Sequence, residues 1–238
     1  MDEMRWFLYD DFDVVVSERS IRRLFKRRRW SRKVMVQRAL QQNRRLRAAW
    51  IARIREYYAK QFVFVDESAA NSRTMDRKYG WSPIGKPARG VQALRREKRW
   101  SLLPAYTVEG YLPGFLIAQG SVTGEMFYDW LKYSVLPYCQ PYPAPRSVIV
   151  MDNASTHHSP KVRELIESVG CRLEYLPPYS PDFNPIECSF HDLKSYIKRH
   201  RQEAQYCEDF GVFLGYCVER MCLFKASARA HFRKSAIY

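Results

Sequence analysis

The chain has 238 residues, 46% hydrophobic and 15% aromatic, with a formal net charge of +15. This is enough for one large domain, or a domain with an appendage, around a packed core; it excludes a disordered chain, and no apolar run nears the roughly 18 residues of a membrane span. A positive excess of this size points to a polyanionic partner.

The opening MDEMRWFLYDD is acidic and lacks the apolar stretch of a signal peptide. From Ser17 to Arg55 there are 15 Lys or Arg and one acid, Glu18. SERSIRRLFKRRRW begins with two candidate N-caps, Ser17 and Ser20, and sets Ile21, Leu24 and Phe25 at helical spacing. This predicts a short basic helix with its apolar side on the stretch Met4 to Val16, consistent with half of a helix-turn-helix unit. Arg22, Arg23, Lys26, Arg27, Arg28, Arg29, Arg32 and Lys33 would then face DNA phosphates; the alternative is a solvated basic helix. From Lys33 to Gln61 there are few helix breakers, and apolar residues at 46, 50, 51, 54 and 58 predict a long connecting helix.

Composition then shifts. FVFVDES (62–68) and SVIVMDNAS (147–155) read as buried strands, each stopping at an aspartate, Asp66 and Asp152. Between them, residues 98–121 read as strands turning near Gly110 and Gly114. Residues 123–139 read as a helix with Met126, Phe127, Trp130, Leu131 and Val135 inward. SPKVRELIESVG (159–170) has a serine cap, Pro160 at the first helical position and Gly170 at the exit; CRLEYLPP is another strand. The order predicts a mixed sheet with helices on its faces. After the last strand comes PPYSPDFNPIE. Asn184 can cap a helix, Pro185 can open it, and Glu187 falls in its first turn, with Ile186, Phe190, Leu193 and Ile197 inward and Phe183 and Tyr179 packing the proline loop. Residues 203–238 read as amphipathic helices packed on the core. Six cysteines form no CxxC pair and read as free thiols.

Asp66, Asp152 and Glu187 can therefore meet at a sheet rim. Three clustered carboxylates repel unless a cation neutralises them, and hard divalent ions prefer oxygen ligands. Two such ions can clamp the attacking and leaving oxygens of a phosphoryl transfer, which suits a polynucleotide partner. Glu67 alternates to the opposite side of its strand. Asn153 orients Asp152 or a phosphate, or is a turn residue. His157 and His158 either contact substrate or a metal-bound water, or lie at a cap or on the surface. In YGWSPIGKPARG, Lys86 and Arg89 contact DNA beside Trp81, or the stretch is a hairpin with Trp81 in the core. His191 is expected at the surface.

FVFVDES, YGWSPIGKPA, VIVMDNASTHH and LPPYSPDFNPIE, in that order and with 34 residues between Asp152 and Glu187, resemble the catalytic core of the Tc/mariner superfamily of DNA transposases. The resemblance runs from about Phe62 to His200. It implies an RNase H-like fold: an α/β, mixed five-stranded sheet flanked by helices and preceded by a mostly helical basic segment. It implies a remnant helix-turn-helix unit at 1–32, a helical linker at 33–61, the catalytic domain at 62–201 and a helical extension at 202–238. By similarity, Asp66, Asp152 and Glu187 hold two Mg²⁺ or Mn²⁺ ions, nick transposon ends and join the freed 3′-OH to target DNA at TA dinucleotides. The implied partners are double-stranded DNA, as transposon ends and as target, and a second copy of the chain, with no membrane. The implied location is the nucleus in a eukaryote, or the cytoplasm and nucleoid in a bacterium. The short N-terminal stretch leaves open a domesticated or truncated DNA-binding protein without transposition activity; a hydrolytic RNase H-type nuclease would share the metal site.

Overall fold

Two compact units divide the chain, Met1–Leu40 and Gln41–Tyr238. The computed structural model describes residues 2–33, 42–76, 81–89, 98–154, 159–222 and 226–238. In the first unit, α1 (Asp2–Phe12) buries none of its residues, and Arg5 Nε donates to the Val16 carbonyl at 3.1 Å. The α2 helix (Glu18–Arg27) starts where the sequence predicts, the Ser17 hydroxyl accepting the Ser20 N–H at 3.1 Å. Its apolar face is narrower than expected: Ile21 is buried, Leu24 is exposed, and Phe25 stacks instead on Trp30. The eight basic residues proposed for DNA are all exposed, Arg22 being paired with Glu18.

In the second unit, the helix expected across 33–61 is shorter. The α3 helix spans Arg44–Ile54 and is started by Asn43, whose Oδ1 accepts the N–H groups of Arg45 and Leu46. A polar cap of this kind satisfies N–H groups that a continuing helix would bond itself, so it marks a true start. Trp50, Ile54 and Tyr57 are buried, which makes α3 part of the core rather than an exposed connector.

The strands follow as β1 (Phe62–Val65), β2 (Ser68–Ala70), β3 (Trp100–Leu103), β4 (Ala105–Thr107), β5 (Gly110–Tyr111) and β6 (Leu116–Gln119). Then come α4 (Gly124–Trp130), which runs on into a π-helical turn at Leu131–Val135, β7 (Val148–Met151), α5 (Pro160–Ser168) and β8 (Arg172–Tyr175). The chain ends with α6 (Pro185–Arg199), α7 (Phe210–Cys222) and α8 (Ala226–Lys234). A mixed sheet has the order β5-β4-β1-β7-β8, parallel from β1 through β8 and antiparallel on the other side; β2, β3 and β6 form a second, antiparallel sheet. This is the mixed five-stranded sheet with flanking helices expected of an RNase H-like fold.

The two-residue period of the central strands divides the core. Phe62, Phe64, Val148 and Val150 face α3, α6 and α8, while Val63, Val65, Ile149 and Met151 face α4 and α5. The α6 helix buries Ile186, Phe190, Leu193 and Ile197, as its period predicts. It is anchored again by polar bonds: Tyr111 Oη donates to Ser189 Oγ at 2.8 Å, and His231 of α8 bridges Asp192 (3.2 Å) and Tyr106 Oη (2.8 Å). Burial holds His231 below its ordinary pKa, and a neutral imidazole satisfies both partners. Among α7's inward residues, Gly211 touches the Trp100 ring so closely that any Cβ would overlap it. All six cysteines are free, and among the described residues no helix is long and apolar enough to cross a membrane.

Candidate active site

The parallel register of β1 and β7 pairs Phe64 with Val150, so Asp66 and Asp152, each two residues further on, leave the sheet side by side at one rim. Neighbouring strands run about 4.8 Å apart, which brings the two aspartates within range of a common ligand. The other neighbour of β1 explains why the strand stops there. The antiparallel pairing Val65–Ala105 resumes in the same register at Ser68–Leu102, which sets Asp66 opposite Pro104. Proline has no N–H to donate, so the ladder opens at the aspartate.

Each carboxylate is then oriented. Asp66 Oδ1 accepts the Glu67 N–H and Oδ2 accepts Asn184 Nδ2, both at 2.7 Å; Asp152 Oδ1 accepts the Ala154 N–H at 3.1 Å. Asp66, Asp152, Asn153, Asn184 and Glu187 line one cavity of about 480 Å³, closed on one side by the proline loop 177–181.

Asn184 differs from its sequence reading. It precedes α6, but its side chain makes no cap bond, and its amide goes to Asp66 instead. Pro185 has no N–H, and the Glu187 N–H is taken by the Asn184 backbone carbonyl, which frees the side chain. Asn184 is 3% exposed, and its Oδ1 is buried without a hydrogen-bond partner. The amide orientation follows from chemistry: turning it over would set a carbonyl oxygen against a carboxylate.

Crowding by the protein around the carboxyl raises Glu187 above its ordinary pKa; Lys194 opposes this and the charge of Asp152 adds to it. The residue as a whole keeps solvent contact, so the cause is packing around one end rather than full burial. A raised carboxyl pKa means that the folded chain holds its proton more tightly than the unfolded chain. Glu187 therefore lowers the stability of the metal-free protein at neutral pH, and that loss is removed as pH falls from the raised value through the ordinary 4.5. Glu187→Gln is expected to melt above the wild type at pH 7 without divalent ions, and no higher than it below the ordinary carboxyl value. Equal melting temperatures at both pH values would refute this.

The donors are all carboxylate oxygens, the hard type that suits Mg²⁺ or Mn²⁺. Among the described residues, no three Asp, Glu, His or Cys side chains are grouped so that they could together hold a metal ion. The set fits an open site in which water and a substrate phosphate complete the shell, and the repulsion between Asp152 and Glu187 is what a cation would relieve.

The remaining predicted residues divide. Asn153 Nδ2 donates to the Leu176 carbonyl at 2.6 Å, tying the turn after Asp152 to the end of β8. Glu67 turns to the other side, as alternation requires, and accepts from Ser101 Oγ at 2.7 Å. Phe183 is buried, whereas Tyr179 is exposed and does not pack the loop; His191 is exposed. Lys86 closes an exposed turn at Pro83–Lys86 and Arg89 is exposed beyond it, while Trp81 and Ile84 are fully exposed, which removes the hairpin reading with Trp81 in the core. His157 and His158 lie outside the described residues.

Residues 61–208 match the family model of the DDE superfamily endonucleases. The chain belongs to this family. The matched span contains Asp66, Asp152, Asn184 and Glu187. Solved structures of similar fold include the Mos1 transposase paired-end complex with the left transposon end, at a TM-score of 0.59 and 16% identity, covering 100% of this chain and 80% of that one. The Mos1 strand transfer complex matches at 0.58 and 17%, covering 97% and 77%, and the mariner Mos1 paired-end complex with Mg at 0.57 and 15%, covering 100% and 80%. At these identities the likeness is one of fold. No curated protein matches the sequence.

Proposed function

We propose that this DDE superfamily endonuclease is the catalytic chain of a DNA transposase, a metal-dependent nuclease that nicks transposon ends and joins the freed 3′-OH to target DNA. The observation that carries the reading is the pair Asp66 and Asp152 at the ends of adjacent parallel strands, with Glu187 on the same cavity. The Mos1 transposase of similar fold has been solved with transposon-end DNA, with Mg and with Mn. Asp66, Asp152 and Glu187 would hold two divalent ions, which supply Lewis acidity at the attacking and leaving oxygens of a phosphodiester.

The chain's own groups do the rest. Asn184 fixes the direction of the Asp66 carboxylate. The proline loop forms one wall of the cavity in which the phosphate would react. The exposed cations Arg22, Arg23, Lys26, Arg27, Arg28, Arg29, Arg32 and Lys33, with Lys86 and Arg89, neutralise DNA phosphates. The expected course is cut-and-paste transfer into TA targets by two copies of the chain acting on two DNA ends.

Incubation with a duplex carrying inverted terminal repeats and Mg²⁺ or Mn²⁺ tests the reading. Nicks at the repeat ends that disappear with a chelator support it, and sequenced joint products report the target dinucleotide. Salt-sensitive DNA binding with no cleavage under either ion overturns it in favour of a DNA-binding protein without transposition activity.

A further inference from the structure

The loop that carries Asn184 and leads into Glu187 is gripped by α3. Arg47 donates through Nη1 to Asp182 Oδ1 at 2.8 Å and through Nη2 to Oδ2 at 2.6 Å. The same guanidinium lies 3.9 Å from the centre of the Phe183 ring. Trp50, one turn further along α3, stacks on Phe183 with centroids 5.0 Å apart and planes 16° from parallel. Just ahead of α3, Gln42 Nε2 donates to the Tyr179 carbonyl at 3.0 Å, where the backbone has the unfavourable φ of +54°. Residues 42, 47 and 50 thus hold 179, 182 and 183, immediately before Asn184.

The Trp50–Phe183 stack belongs to the buried core, whereas the Arg47–Asp182 pair is open to water on one side, the Arg47 side chain being 19% exposed and that of Asp182 56% exposed. What a two-point guanidinium–carboxylate bond does well is fix orientation. The peptide it fixes is the one that aims Asn184 at Asp66 and starts α6.

We propose that Arg47 is a positioning residue of the catalytic site. Acting through Asp182 and Phe183, it holds Asn184, and through Asn184 the Asp66 carboxylate, in the geometry a divalent cation requires. The metal half of the proposal rests on the transposase reading; the grip on the loop does not.

The experiment uses the full chain as wild type, Arg47→Ala, Arg47→Lys and the exchanged pair Arg47→Asp with Asp182→Arg. Hydrogen exchange by mass spectrometry reads the loop, and titration with Mn²⁺, followed by the resonance of the free ion, reads the site. In Arg47→Ala, exchange is expected to rise across 177–188 and stay at the wild-type level in β1 and β7, with Mn²⁺ affinity down about 10-fold. Arg47→Lys is expected to resemble Arg47→Ala, because an ammonium cannot reproduce the fork, and the exchanged pair to recover both readouts. Unchanged exchange at 177–188, or an equal rise through β1 and β7, overturns the proposal, the second result marking a general structural loss. A wild type that binds no Mn²⁺ defeats the transposase reading, while the loop exchange still decides the role of Arg47.

Discussion

Asp152→Asn is expected to lower divalent-dependent DNA cleavage by about 10³-fold or more while leaving the sheet intact and the metal-free protein slightly more stable. The rate follows from what a bound ion supplies: charge stabilisation of several kcal/mol in the transition state, at about 1.4 kcal/mol per tenfold in rate. Asparagine has the shape of aspartate and can still accept the Ala154 N–H through its carbonyl, so the turn after β7 keeps its bond. The stability gain has a separate cause. The Asp152 charge is one of the causes that push Glu187 up, and its removal relieves that repulsion. Single-turnover cleavage with Mn²⁺ and a thermal melt without metal measure the two effects. Cleavage within tenfold of wild type would exclude Asp152 from the metal site. Normal cleavage joined to a lower melting temperature would make it a structural residue of the β7 turn.

The parts legible in the sequence share a physical origin. In β1 and β7 four successive apolar residues are buried on both faces, so the sequence has continuous apolar runs, and the aspartates mark where the sheet meets solvent. The start of α6 was equally clear, because Pro185 permits only a first helical turn and Ile186, Phe190, Leu193 and Ile197 repeat with a helical period. What could not be read depends on partners far along the chain. Asn184 has the sequence position of a cap, since asparagine before a proline-initiated helix usually is one, but the partner of its amide, Asp66, lies 118 positions away. The opening of the ladder at Asp66 depends on Pro104, a relation visible only once the register is known. The length of α3 is harder to read, because arginine and alanine favour helix almost anywhere and the local signal of where it begins is the asparagine cap at 43.

Asn184→Ala is expected to separate stability from activity. The substitution removes a charge-assisted hydrogen bond to Asp66, a loss of about 1.5–3 kcal/mol. It also removes Oδ1, a buried acceptor with no partner, whose unsatisfied state costs about 1–3 kcal/mol. The two terms oppose each other and are of similar size, so the melting temperature should change little. The Asp66 carboxylate, however, loses the donor on Oδ2, while the neighbouring Glu67 N–H stays on Oδ1. Loss of such an orienting partner lowers metal affinity or activity by about 10–100-fold, and that is the expected fall in cleavage. Asn184→Asp should behave differently. It sets a second carboxylate against Asp66 in a buried position, so one of the pair must hold a proton, and both melting temperature and cleavage should fall at neutral pH. Cleavage at the wild-type level in Asn184→Ala would show that strand geometry alone directs Asp66. A large drop in its melting temperature would show that the Asn184–Asp66 bond outweighs the orphaned oxygen and serves the fold before the site.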